Sequence, residues 1–413
     1  MIRAGLVDLT PLRRSVPFRR LWIGGSISAF GTQMAIVAVL YQVWQLTGSP
    51  VWTGMVGLVS ALGMVCGSLL GGTMADSRDR SLILRWTTLG QLLAVLGLAG
   101  QAAAAMDSVA PVLVLVGLNS FCSGMGAASR RSLPARLLDL KLLPAGIALN
   151  HLGVQVAMLF GPALGGLVTG SLGLTVCYSL CFGSLGLALY TVLRLPRVPP
   201  AQSVQPRSTL SMAWEGVRYV SRPGPVRGAF GTDLFATLLV MPVALFPMIN
   251  EYRLDGAPET LGMMTSSVAV GGFFAGLCSG AVIRTQRLGV VQSWAAGIWC
   301  VALAGFGLSH TLWLILGTLA IAGAADTVSV IARGALVQLV TPDSHRGRVS
   351  AAEHVITAAG PDLGNARGGL VAGLIGAPAA MAGGGALALV GVVWIAVRNE
   401  QLRHFRQRDA RQA

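Results

Sequence analysis

Long apolar runs separated by short polar breaks extend along nearly the whole chain. "VWTGMVGLVSALGMVCGSLL" gives way to the polar "GGTMADSRDR" and then to "LGQLLAVLGLAGQAAAAM", and the rhythm repeats towards the C-terminus. None of the runs alternates with period two. Each is long enough for a helix to cross a hydrocarbon layer of roughly 30 Å, which takes about 20 residues at ~1.5 Å per residue. Backbone groups in lipid must be satisfied within their own segment, so helices are the predicted form, and the runs are too long for barrel strands. Breaking the chain at charged or turn-rich points predicts twelve spans: 20–46, 51–75, 83–106, 110–133, 143–170, 173–194, 226–250, 260–283, 289–309, 311–338, 349–375 and 377–397. The longest hydrophilic stretch, "RLPRVPPAQSVQPRSTLSMAWEGVRYVSRPGPVRG", divides them six and six. Its Pro-rich start predicts an extended linker, and "LSMAWEGVRYV" an amphipathic helix on the membrane surface. The expected organisation is a six-helix bundle over 1–195, a linker over 196–224, and a second bundle with a basic tail over 225–413.

Composition agrees with an all-α membrane protein. The chain is 54% hydrophobic and 11% charged, less than half the roughly 25% of an ordinary soluble domain. The distribution of positive charge adds orientation. All but three of the 30 Lys and Arg fall in the two tails and in the loops after spans 2, 4, 6, 8 and 10; the exceptions are Arg253, Arg333 and Arg367. Basic residues mark the cytoplasmic face, which places both termini and the linker there and requires an even number of spans. The net charge of +14 is spread over many short loops rather than gathered on one domain, so nucleic acid is not an expected partner. The start "MIRAGLVDLTPLRRSVPFRR" lacks an apolar core with a cleavage site, so the first span is expected to act as the insertion signal. All six cysteines lie inside apolar runs without metal-type spacing, and the five histidines show none either. No nucleophile or phosphate-loop motif appears; neither an enzyme, a metal centre nor a cofactor is expected.

The two halves echo each other. "SRRSLPARLLDLKLLPAGIALN" after span 4 parallels "ARGALVQLVTPDSHRGRVSAAEH" after span 10, and "GGTMADSRDRSL" after span 2 parallels "SGAVIRTQRLGV" after span 8. Matched halves suit a carrier in which one bundle rocks against the other around a central site. With Gly72, Asp76, Asp79 and Arg80 in place, "GGTMADSRDR" resembles the loop 2–3 signature of the major facilitator superfamily; Ser77 and Ser81 stand where that family usually has basic residues. The resemblance implies that this loop latches a cytoplasmic gate, with Asp76 set against the positive N-terminal end of span 11 and Gly72 allowing close approach.

"FRRLWIGGSISAFGTQMAIVAVLYQVWQLTGSP", "TPDSHRGRVSA" and the tail "LRHFRQ" resemble the efflux branch that contains siderophore and macrolide exporters. That resemblance implies a secondary active exporter of a catecholate siderophore of the enterobactin type, coupled to protons, in a bacterial inner membrane and functional as a monomer. Efflux of macrolides or other amphipathic drugs is the alternative. "GPALGG", carrying Gly161, Pro162, Gly165 and Gly166, matches an antiporter motif in span 5, where small residues serve tight packing as well as coupling. An Arg common in span 4 of the branch's drug antiporters is absent here, with Asn119 and Ser120 in that region. The tail itself reads as an interfacial snorkelling segment.

Charges inside a membrane are costly and therefore functional candidates. Asp233, Asp326 and Asp362 are the candidates for proton exchange, while Glu353, near the cytoplasmic end of span 11, reads as solvated. Pro361 is expected to open its helix beside Asp362, and Arg333 is a possible partner for either Asp326 or Asp362. A fixed ion pair between Asp326 and Arg333 is the structural alternative to proton exchange. Family precedent that spans 1, 4, 7 and 10 line the cavity nominates Phe30, Gln33, Tyr41, Gln42, Asn119, Phe121, Phe235, Met241, Ser329 and Arg333 for substrate contacts.

Overall fold

The computed structural model describes residues 8–198 and 209–407. Eleven helical segments among the described residues are long and apolar enough to cross a membrane, and they coincide with the predicted spans 1–10 and 12. Span 11 is the single helix Asp343–Ile375, 33 residues long. Its first half carries too much charge to meet the same criterion, and at about 50 Å the helix is longer than a bilayer core requires. Pro361 sits inside this helix without ending it. A proline removes one i→i−4 bond but fits where the surrounding turns are held by packing.

Residues fall into two compact units, Met1–Gln42 with Leu62–Pro206, and Val43–Ala61 with Arg207–Ala413. In the first unit, span 3 (Arg80–Ala103) packs on span 4 (Val109–Ser132) and on span 6 (Leu174–Leu193). In the second, span 9 (Leu288–Leu308) packs on span 10 (Leu312–Val340) and on span 12 (Ala377–Arg398). The same neighbour relation therefore recurs six spans later, as the sequence echo predicts.

Two peripheral segments are seated differently from expectation. The linker helix Thr209–Val220 docks on the start of span 11: Gly216 lies against the Arg348 carbonyl, and Arg348 Nε is 2.9 Å from Glu215 Oε2. The Tyr219 ring stands 4.9 Å from that of His345, centroid to centroid. Its apolar face thus meets protein, with Val220 in a core that includes Leu336, Val349 and Ala352. The tail "LRHFRQ" is docked as well. Leu402 is fully buried in that core, and Gln407 bonds the carbonyls of Gln286 and Ile283 at 3.0 and 2.8 Å. Of the cysteines, Cys122, Cys177, Cys181 and Cys300 are buried, whereas Cys66 and Cys278 lie on the outside of their helices.

Candidate functional site

The largest fully buried side chain among the described residues is charged. Arg333, in the last third of span 10, is 1% exposed. A guanidinium so far from water requires a partner. Arg333 Nη1 pairs with Asp233 Oδ1 of span 7, and its Nε stands 3.9 Å from Glu353 Oε1 of span 11. Its Cζ lies 5.6 Å from the centroid of the Phe230 ring. Asp326, about two turns earlier on span 10, interacts electrostatically with both Asp233 and Arg333. Three spans thus converge on one cation. The ion pair is Asp233–Arg333 rather than Asp326–Arg333, because Asp326 shares the helix of Arg333 whereas Asp233 reaches it from a neighbouring one. Glu353 belongs to the group, although its place near a helix end made it read as merely solvated. At this end the second unit holds a cavity of about 480 Å³, lined by Gln338, Thr341, Ser350, Glu353 and Gln407 among others.

Span 7 is not one helix. It runs as Pro225–Leu239, breaks, and resumes through a 3₁₀ turn at Val243–Leu245 into Phe246–Arg253. Pro242 lacks an N–H and disfavours helical geometry in Met241 before it, which weakens the helix where it stops at Leu239. Side chains from spans 11 and 2 complete the broken backbone. Arg367 donates to the Leu239 carbonyl, Asn365 Oδ1 accepts from the Ala244 amide at 3.1 Å, and Thr53 Oγ1 donates to the Ala244 carbonyl at 2.7 Å. Irregular backbone at membrane depth is stable only when it is satisfied in this way. Arg367 is therefore committed to a carbonyl, and no bond ties it to Asp362. The first half of span 2 lies directly on span 11 here. A Cβ on Gly57 would stand 2.6 Å from the Asp362 carbonyl oxygen, and one on Gly54 would stand 3.0 Å from Gly369 Cα.

The remaining cavity nominees divide by environment. Gln42 is buried and accepts a hydrogen bond from Tyr178 Oη at 2.7 Å, which commits its amide to span 6. Phe235 packs its ring on Gly391 of span 12, Met241 rests on Gly364 of span 11, and Ser329 is buried at 4% exposure. Phe30, Gln33, Tyr41, Asn119 and Phe121 are half-buried in the first unit. The span 5 motif is in close packing with span 1: a Cβ on Gly161 would meet Gln33 Cβ at 2.6 Å, and one on Gly165 would meet Met34 Cα at 2.8 Å. Pro162 and Gly166 are buried in the same helix.

Comparison with known proteins places this architecture. A family model described as "Transmembrane secretion effector", of the MFS type, matches residues 7–412. The chain belongs to that major facilitator family. It is 28% identical over 410 residues to the enterobactin exporter EntS of Escherichia coli strain K12, covering 97% of this chain and 96% of that one. EntS of Shigella flexneri is 26% identical over 406 residues with the same coverage. Among solved structures, a mutant of the nucleoside transporter NupG superposes with a TM-score of 0.74 at 14% identity, over 92% of this chain and 99% of that chain. A bacterial homologue of the iron transporter ferroportin, in an inward-facing state, gives 0.70 at 13% identity, over 94% and 99%. The chain is thus a multi-pass membrane transporter of the major facilitator type.

In this family member the loop 2–3 signature does local work. Asp79 caps span 3: its Oδ1 accepts from the Ser81 amide at 2.8 Å, the Ser81 hydroxyl at 2.7 Å and the Leu82 amide at 3.4 Å. It also accepts from the Val198 amide at 3.2 Å, while the Arg80 amide donates to the Val198 carbonyl at 3.2 Å. Arg80 Nε reaches back to the Ala75 carbonyl at 3.4 Å. The loop thus pins the segment leaving span 6. Gly71 makes the close approach to span 4, at Met125, and Gly72 is half-exposed beside it. The side chain of Asp76 lies outside the described residues. Partial burial alone would push the Asp79 carboxyl up, but its four hydrogen bonds outweigh that and hold it below the ordinary carboxylate range. A depressed value stabilises the folded state above the ordinary range, and the contribution fades as pH falls through the depressed value. Asp79→Ala is expected to cost about 1 kcal/mol at neutral pH. Its deficit in thermal unfolding should close in acid below pH ~3.9, and a deficit that persists there would contradict the assignment.

Proposed function

We propose that the chain is a secondary active exporter of a catecholate siderophore of the enterobactin type, working by alternating access as a monomer in a bacterial inner membrane with both termini in the cytoplasm. The observation that carries this reading is the similarity to enterobactin exporters, which runs end to end rather than over a shared half. The paired asymmetry of basic loops supports the orientation. A catechol ligand suits a site with aromatic faces and a few amides, and Phe30, Gln33, Asn119 and Phe121 supply that chemistry from one unit.

The driving force in this reading is a proton moving inward, worth about 2.3 kcal/mol per 100 mV of membrane potential. Asp233 is the exchanging group, because it faces a buried cation whose pairing depends on its charge. With both termini inside, the start of span 2 and the end of span 11 lie at the outer face. Their glycine seam then serves as the outer gate in its closed form. Asp76 supplies the latch for the opposite, inward-closed state, when it meets the N-terminal end of span 11.

A deletion strain grown without iron tests the function. Intracellular siderophore should accumulate and its secretion should fall, with restoration by the plasmid-borne gene. Normal secretion together with new macrolide sensitivity would move the reading to drug efflux.

A further inference from the structure

We propose that Glu353 is the port through which protons pass between the cytosol and the buried Asp233–Arg333 pair, with the cavity beside the docked tail as their water path. The inference rests on the proton-coupled reading above. Side-chain exposure rises from 2% for Arg333 through 10% for Asp233 to 31% for Glu353. Glu353 is the most exposed of these three, and it lines the cavity itself. Of the nine other lining residues five are apolar, and the remaining four suit water. Gln338, Thr341, Ser350 and Gln407 all carry hydrogen-bonding side chains. Thr341 is 3% exposed, and its hydroxyl has no hydrogen-bond partner among the described residues. A buried hydroxyl of this kind is ordinarily satisfied by ordered water.

The charge arrangement explains why a port is needed. Arg333 is a single cation between carboxylates on two neighbouring helices, in contact with Asp233 and 3.9 Å from Glu353. With Asp233 protonated, Arg333 loses its anionic partner on span 7 and is drawn to Glu353. For release, the proton leaves Asp233, is taken up by the Glu353 carboxylate and passes to water as hydronium. Arg333 then returns to the restored Asp233 carboxylate; the three groups go from net neutral to a single negative charge, and the hydronium carries the balancing positive charge to the cytosol. The recorded pairing, with Arg333 on Asp233, corresponds to the state after release. Among the described residues, the elements around Glu353 also carry Asp326 on span 10, the Glu215–Arg348 pair where the linker helix meets span 11, and His345 against Tyr219. Arg284 and Arg406 flank the cavity in sequence, next to Ile283 and Gln407.

The test uses the full-length protein in proteoliposomes with enterobactin as the transported probe. Glu353→Gln is expected to lower proton-driven transport by at least about tenfold and to flatten its dependence on cytosolic-side pH, with Glu353→Asp restoring that dependence. A Glu353→Gln protein with the wild-type pH profile, when Asp233→Asn flattens it, overturns the inference alone. Loss of enterobactin counterflow at equal pH in Glu353→Gln would assign the residue a structural role and also overturn it. Wild-type transport without proton movement would overturn the coupled reading itself.

Discussion

Arg333→Ala is expected to be among the most damaging single substitutions in the chain, costing about 3–5 kcal/mol of stability. The loss comes less from the missing attraction than from what remains: Asp233, 8% exposed overall, would keep its charge without a partner. The second unit would also lose the volume of its largest fully buried side chain. Thermal unfolding in detergent, followed through the reactivity of the buried Cys300 thiol, measures the effect. The double variant Asp233→Asn/Arg333→Met separates stability from function. It removes both charges and retains much of the bulk, so stability should recover by most of the lost amount while proton-driven export stays absent. A double variant as unstable as Arg333→Ala would show that the stranded carboxylate does not set the cost. Recovery of export would remove the pair from the transport cycle.

Gly57→Val is expected to have the second largest effect, through conformational equilibrium more than folding. An added Cβ would meet the Asp362 carbonyl oxygen at 2.6 Å and Asn365 Cβ at 3.0 Å. The nearer obstacle is backbone, so the helices must separate rather than a side chain turn aside. Overpacking of this kind costs about 1–3 kcal/mol. At about 1.4 kcal/mol per factor of ten, that shifts the balance of states roughly tenfold to a hundredfold away from the closed seam. A cysteine placed at Ala366, which is 9% exposed in that seam, reports the change. Its labelling by a membrane-impermeant maleimide should accelerate at least about tenfold in the Gly57→Val background. An unchanged labelling rate would mean that the seam does not open in transport.

The elements legible in the sequence are those set by local composition. Apolar length fixed where spans 1–10 and 12 lie, and the alternation of basic loops carried the expected orientation. The halving of the chain also appeared locally, in paired loops whose counterparts in space show the same neighbour relations. What could not be read depends on which helix faces which. Asp326 looked like the partner of Arg333 because the two are close in sequence, whereas Asp233 lies a hundred residues away and becomes a neighbour only through packing. Glu353 carried no signal apart from its distance from the centre of its span. The break in span 7 was foreshadowed by Pro242 and Pro247, but the three side chains that repair it come from spans 2 and 11. Gly54, Gly57 and Gly369 were hidden by abundance: with 54 glycines in the chain, composition cannot single out the few that separate two backbones. The docked tail shows the same limit. An amphipathic segment is equally suited to lipid and to a protein groove, and Leu402 occupies the groove.

The repair of span 7 bears on ionic selectivity. The carbonyl end of an interrupted helix carries partial negative charge and is an attractive seat for a small metal cation such as sodium. In this transporter Arg367 already fills that seat, held by its own helix against the Leu239 carbonyl. A sodium ion would have to expel a tethered guanidinium to bind there. The chain has in effect supplied its own counter-ion for that helix end.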